Sequence, residues 1–181
     1  MSHAGRLLVA TPILGDPNFE RTVVLLLAHD PGSGAFGLVL NRPSDTTVTE
    51  VAFEWSDQVA APGVVFLGGP VDTESLIGFC RRGGPEDRFA PLVGDLGTVD
   101  LTQPVAPDEP AWPGLRLFLG SAGWAPGQLE DEIADGAWWV ADAAPDDIVT
   151  ANPDHLWRQV VRRLPGKLAW FAQCPLDPTA N

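Results

Sequence analysis

Thr22-Val23-Val24-Leu25-Leu26-Leu27-Ala28, followed after a Gly-rich turn by Phe36-Gly37-Leu38-Val39-Leu40, decides the fold. The first run is too short and too rich in β-branched residues for a helix. It shows no polar alternation, so it reads as a strand buried on both faces. Phe36–Leu40 reads as a second such strand, and the pair makes a hairpin. Upstream, Leu7–Ala10 is a strand. Asp16-Pro17-Asn18-Phe19-Glu20-Arg21 is a short helical turn, with Asp16 suited to the N-cap and Pro17 to the first helical position.

Downstream, Asn41-Arg42-Pro43 closes the hairpin, because Pro cannot donate to a ladder. Thr47 and Glu50 have capping-box spacing, and Val48, Val51, Ala52 and Trp55 form one helical apolar stripe. Val64–Leu67, Leu76–Cys80 and Leu115–Leu119 read as strands, and Arg81–Gly94 as a loop. Pro126 opens a helix running to about Asp135, and Gly136 stops it. Ala137–Ala141 is a strand that sends Trp138 and Trp139 to opposite faces. Asp154–Leu164 is a helix behind Asn152-Pro153, with Leu156, Val160 and Leu164 on one side. Lys167–Ala172 reads as a last short helix or turn. Strands and helices mix without βαβ alternation, which predicts an α+β fold with a mixed sheet. Residues 1–181 read as a single domain, since Pro and Gly are spread evenly and mark no linker.

Composition narrows the function classes. The formal charge is −13, from 24 acids against 11 Lys and Arg. Direct nucleic-acid binding is disfavoured, because it rests on cations neutralising phosphates. Arg158, Arg162 and Arg163 read as cations complementing a helix C-terminus. No apolar run approaches a membrane span, and Met1–Arg6 lacks a secretory pattern, so a cytoplasmic protein without membrane attachment is expected. Cys80 and Cys174 are expected to be reduced, with Cys80 a small buried hydrophobe.

Several motifs carry candidate chemistry. Gly32-Ser33-Gly34-Ala35-Phe36-Gly37 spells a dinucleotide fingerprint, but a strand follows it instead of a helix, so a hairpin turn explains the glycines. Gly68-Gly69-Pro70 is a tight strand exit, or a place where backbone approaches a ligand. Gly123-Trp124-Ala125-Pro126-Gly127-Gln128-Leu129-Glu130-Asp131-Glu132-Ile133 starts a helix whose free N–H groups could hold an anion, although three acids lie close by. Leu129 and Ile133 face the core, and Gln128 and Glu132 share another face. His29, ending the central strand, could orient a ligand, donate a proton or bond a loop carbonyl. Asn41 and Arg42 could grip a carboxylate together, or Arg42 could pair with an acid of the chain. His3, His29 and His155 are too scattered for a local metal motif, and Gly120-Ser121-Ala122-Gly123 lacks nucleophile-elbow spacing.

Taken in order, these segments resemble the YqgE/AlgH family. The residues are Leu8-Val9-Ala10-Thr11-Pro12, Asp16-Pro17, Phe19, Arg21, His29, Gly37, Asn41-Arg42-Pro43, Gly68-Gly69-Pro70-Val71, Gly123-Trp124, Gly127-Gln128-Leu129-Glu130, Trp138 and Leu156-Trp157. The match spans nearly the whole chain. Two positions depart from the pattern: Ala28 stands where an acid often precedes the His, and Ser121 where a Tyr is common. The resemblance implies a compact α+β domain with a mixed, partly barrel-like sheet flanked by helices. It also implies a bacterial cytosolic protein, and some relatives are described as candidate transcriptional regulators.

The expectation is a non-enzymatic binding or regulatory protein acting through a small ligand or a protein partner, without metal or cofactor. Its candidate binding residues are Asp16, Arg21, His29, Asn41, Arg42, Gly68, Gly69, Trp124, Gln128 and Glu130. The alternative is a small-metabolite enzyme with His29 as acid–base and Arg42 as anion holder. A third reading is a partner-binding module that exposes some of the seven Trp in an apolar patch.

Overall fold

The computed structural model describes residues 2–173; Cys174 lies outside them. Ten strands form the sheet: β1 (Arg6–Ala10), β2 (Val23–Asp30), β3 (Gly34–Val39), β4 (Pro43–Thr47), β5 (Val64–Leu67), β6 (Val71–Arg81), β7 (Phe89–Val93), β8 (Leu96–Val99), β9 (Arg116–Trp124) and β10 (Trp138–Asp142). Its main path runs β10-β1-β2-β3-β9-β6-β8-β7. Every neighbour on that path is antiparallel. The sheet is mixed because β5 adds parallel to β9, with β4 antiparallel beyond it. Among the described residues, three 3-10 segments (Phe53–Trp55, Glu86–Arg88 and Gly166–Gln173) and four short α-helices complete the fold: α1 (Val48–Val51), α2 (Gln128–Ala134), α3 (Pro145–Ile148) and α4 (Pro153–Val161). None is long and apolar enough to cross a membrane.

The sheet is not closed into a barrel, which corrects the barrel-like expectation. β10 and β7 terminate the path and do not pair with each other. β7 carries Pro91, which has no N–H to extend the ladder. The curvature is nonetheless strong. Leu25 and Leu27 of β2 share one core cluster with Phe79 of β6 and Leu96 of β8. The two halves of the sheet therefore face one another across apolar side chains instead of joining at their edges.

β2 is the buried centre. Val23, Leu25 and Leu27 enter that cluster, together with Leu156, Trp157, Val160 and Val161 of α4. Val24 and Leu26 enter the opposite cluster, with Trp124, Trp138 and Leu129 of α2. Period-2 alternation with both faces apolar thus covers each side of β2 with a different helix. A third cluster, around Trp55, Val65, Trp112, Leu115 and Leu117, sits under the β5–β6–β8 half.

The sequence expectations hold for the long apolar strands and shift elsewhere. β4, β7, β8 and α3 were not expected. β7 and a 3-10 turn, Glu86–Arg88, lie inside the stretch read as loop. Arg88 anchors that stretch to the rest of the fold. Its guanidinium donates to the Glu109 carboxylate (2.8 Å) and to the carbonyls of Asp100 (2.8 Å), Gln103 (2.8 Å) and Pro104 (3.3 Å), and lies over Trp55. α1 is a single turn; Val48 and Trp55 are buried, but Val51 is 47% exposed, so the expected stripe is incomplete. Arg163 pairs with buried Asp147 at 2.6 Å, so it braces α3 against the end of α4. Cys80 is buried on β6, and burial pushes its thiol up to about 12.

Glycines mark where backbones touch. In the β2–β3 turn only Gly34 adopts positive φ, at 102°. Gly37 serves close approach instead, since a Cβ there would lie 2.5 Å from the Leu25 carbonyl oxygen. Gly68 and Gly69 cross β9: Cβ atoms there would lie 2.2 Å from the Gly120 oxygen and 2.3 Å from the Ser121 oxygen.

Two outcomes follow from this packing. Gly69→Ala, at φ 149° and against backbone, should destabilise by about 3 kcal/mol or more in urea unfolding. Gly63→Ala, with nothing within 4 Å, should leave the midpoint unchanged. Burial raises the proton affinity of Glu109, but the Ala106 amide, the Trp112 indole and Arg88 outweigh it and hold its carboxyl below the ordinary 4.5. A depressed folded pKa stabilises above the unfolded value and ceases to do so as pH falls through the folded one. Stability should therefore drop on acidification below about pH 4.5, and Glu109→Gln should flatten that limb of the pH–stability curve.

Candidate functional site

The ten candidate residues fall at the two ends of the β2–β3 hairpin. Arg21 precedes β2 and His29 lies near its end, eight residues on, which at about 3.3 Å per residue separates their backbones by roughly 26 Å. His29 pairs with Ala35 at the start of β3, and Arg42 lies beyond the end of β3, roughly 20 Å away. A small metabolite cannot touch His29 and Arg42 together, so the enzyme reading that joined them has no geometric support.

One end gathers Asp16, Arg21, Asn41, Arg42, Gly68 and Gly69. Asn41 is the fastener. Its Oδ1 accepts the Val23 N–H at 2.8 Å, and its Nδ2 donates to the Arg21 carbonyl at 2.9 Å. Those two bonds fix the turn before β2, where Arg21 is held at φ 53°. Such a conformation is uncommon for a residue with a Cβ and persists only where its surroundings impose it. Asp16 Oδ1 accepts the Asn18 N–H at 2.8 Å and shapes the start of the same turn. The Arg21 guanidinium lies 5.3 Å over the Trp157 ring, whose indole donates to the Ala10 carbonyl at 2.8 Å. Arg42 Nη2 donates to the Glu20 carbonyl at 2.6 Å, and Gly68 O accepts the Val39 N–H at 2.9 Å. Two cavities flank the turn. The first, about 410 Å³, is lined by Thr11, Pro12, Leu14, Glu20, Arg21 and Trp157. The second, about 360 Å³, is lined by Asn18, Arg42, Leu67, Gly69 and Pro70. Pro17 borders both.

The other end holds His29, Trp124, Gln128 and Glu130. His29 Nε2 is 2.8 Å from Glu130 Oε1, and its side chain is only 1% exposed. The Glu130 carboxyl is held below its ordinary range first by its own backbone amide, against burial, and further by the His29 contact. Trp124 and Gln128 belong to a network centred on Glu132. Glu132 Oε2 accepts the indole N–H of Trp124 (2.9 Å) and of Trp138 (2.7 Å), and Oε1 accepts from Gln128 (2.8 Å). Gln128 Oε1 in turn accepts the N–H of Ala125, which lies ahead of the helix and its Gly127 cap. Phe19 packs on both Trp rings, which ties the turn before β2 to this network.

Sequence reasoning placed Gln128 and Glu132 on one helix face but did not identify Glu132 as the hub. The spacing of four was the available signal. Trp157 matches the family pattern, but its place beneath Arg21 is set only by folding. Trp124 and Trp138 serve this network and the core, and Trp55, Trp112 and Trp157 are also buried; Trp139 is half-buried, and Trp170 is 69% exposed. Ser121, at the family's frequent Tyr position, is buried on β9 beside Gly69. Among the described residues no group of His, Cys, Asp and Glu is placed to hold a metal ion.

A curled, mostly antiparallel sheet with helices on either side of a doubly buried hairpin defines the class of protein. The family model described as AlgH-like matches residues 7–169, and the chain belongs to the AlgH/YqgE family. A UPF0301 protein of Streptomyces coelicolor is 50% identical, covering 99% of this chain and 96% of that one. One from Mycobacterium leprae is 39% identical over 98% of this chain and 90% of its own. The crystal structure of protein DIP2367 from Corynebacterium diphtheriae superposes with a TM-score of 0.83 at 33% identity, covering 94% of this chain and 92% of that one. The solution structure of AlgH from Pseudomonas aeruginosa gives 0.70 at 27% identity, covering 97% and 95%.

Glu132→Gln should test the network. The amide keeps one acceptor and sets an NH₂ against donors, so unfolding free energy should fall by about 2 kcal/mol. Tryptophan emission should shift as the two indoles lose their carboxylate, and an unchanged urea midpoint would remove the network from the account of stability.

Proposed function

We propose that the chain is a non-enzymatic binding protein that takes a small anionic ligand at the Arg21–Arg42 end of the hairpin and acts in regulation. The supporting observation is that Arg21 and Arg42 line adjacent cavities of about 410 and 360 Å³ that share Pro17. These volumes lie in the range of small-ligand sites. Both guanidiniums are pre-positioned, Arg21 over Trp157 and Arg42 on the Glu20 carbonyl, so little side-chain freedom is lost on binding. In a chain of charge −13, the two cavities are lined by two cations, Arg21 and Arg42, against one acid, Glu20, a local balance that would attract a carboxylate or phosphate.

The same charge supports regulation through a ligand or a protein partner over direct contact with DNA. His29, Glu130, Trp124 and Gln128 then belong to a separate polar group that shapes the far end of the hairpin. A cytoplasmic location fits this reading.

Thermal denaturation against a panel of carboxylates, sugar phosphates and nucleotides tests the proposal. A ligand at 100 times its Kd stabilises by about 2.7 kcal/mol through mass action. The upward shift in Tm should vanish in Arg42→Ala and in Arg21→Ala and persist in His29→Ala. A ligand whose effect survives both Arg substitutions would place binding elsewhere, and stabilisation by acidic peptides alone would point to a protein partner.

A further inference from the structure

The segment before β1 folds back onto His29. The His3 backbone N–H donates to His29 Nδ1 at 2.8 Å, and the Ser2 hydroxyl donates to the His29 carbonyl at 2.8 Å. The His3 ring stacks on the His29 ring, with centroids 5.2 Å apart and planes 21° from parallel. The first of these bonds fixes the tautomer. A backbone N–H can only donate, so Nδ1 must present its lone pair, and the proton of the neutral ring sits on Nε2, facing Glu130 at 2.8 Å.

We propose that residues 2–4 form an acid-released strap, latched by the Nδ1 lone pair of His29. When the imidazole takes a second proton, Nδ1 becomes a donor and points at another donor, the His3 N–H. The latch bond is lost, and a cationic His29 also lies against a stacked His3 ring. Once the strap lifts, Nδ1–H can reach solvent while Nε2–H keeps its bond to the Glu130 carboxylate. The freed form therefore binds the proton more tightly than the strapped form. By linkage, falling pH must favour release.

The groups around the imidazole agree with this direction. Glu130 of α2 attracts the proton in either state. His3 comes from the strap itself; burial, then His29, then Arg6 at the start of β1 lower its proton affinity, against Glu130. It therefore resists becoming a second cation while the strap is seated. Asp30 is the next residue of β2, and its Oδ1 accepts the Gly32 N–H at 3.0 Å. Arg6 is paired with Asp142 of β10 at 2.9 Å. Release would uncover His29, now sealed beside the half-exposed Glu130, at a cavity of about 350 Å³ lined by Ala28, Asp30, Ser33 and Phe36. This site is at the far end of the hairpin from Arg21 and Arg42, so the strap stands or falls independently of the proposed ligand.

Imidazole nitrogen NMR on the full ¹⁵N-labelled chain reads the latch directly. At neutral pH the His29 ring should carry its proton on Nε2. On acidification, the heteronuclear NOE of the Ser2, His3 and Ala4 amides should collapse with the same midpoint as the His29 ring. In His29→Asn, Oδ1 replaces the Nδ1 acceptor and cannot titrate, so residues 2–4 should stay ordered across the range. In His3→Ala, the donor amide remains and release should still follow His29. An Nδ1–H tautomer at neutral pH would overturn the proposal, as would release in His29→Asn at the wild-type midpoint, or release tracking the His3 ring. If His29→Asn does not fold, the wild-type tautomer and the co-titration in His3→Ala decide the matter.

Discussion

The burial of β2 on both faces is the constraint from which the remaining architecture follows. Val23, Leu25 and Leu27 point one way and Val24 and Leu26 the other, and all are sealed from solvent. Each such side chain contributes about 1.5–3 kcal/mol when removed from water, so neither face can be left open. One face is covered by α4 together with side chains from β6 and β8, the other by α2 and the Trp pair. The curl of the sheet is the geometric consequence: β6 and β8 must turn back over β2 to supply Phe79 and Leu96.

A fully apolar strand displaces polar chemistry to its ends. That is why the polar residues matching the family pattern separate into two groups. At one end, Asn41 ties the Arg21 turn to β2 through two side-chain bonds, and Trp157 supports the guanidinium from beneath. At the other, His29 has both ring nitrogens occupied, and Glu132 collects two indoles and an amide. Neither group is a loose surface patch. The apolar strand between them keeps them from acting on one small molecule.

Much of the fold was legible along the chain, for reasons that can be named. The runs at Thr22–Ala28 and Phe36–Leu40 carry enough β-branched and aliphatic residues that local pattern and tertiary burial agree. Gly136 and Asn152-Pro153 punctuate α2 and α4 because positive φ and a missing N–H act locally. β7 and β8 were not legible. Phe89–Val93 contains a Pro, and Leu96–Val99 is only four residues long, so each is a strand because the other and β6 are there to pair with it. Of the candidate site, Asn41, Arg42 and the Gln128–Glu132 face stood out by position. Arg88, Glu132 as a hub, and Trp157 beneath Arg21 did not, since each acquires its role from residues distant in sequence.

The sequence by itself determined the central hairpin, the amphipathic helices and the family, because hydrophobic period, capping and turn chemistry are short-range and survive in a linear reading. Tertiary structure alone decided that the sheet stays open, that Gly68 and Gly69 press on β9, and that His29 and Arg42 stand apart. Those outcomes depend on strand register and on which backbones cross, and such contacts are set by the packing of the whole core.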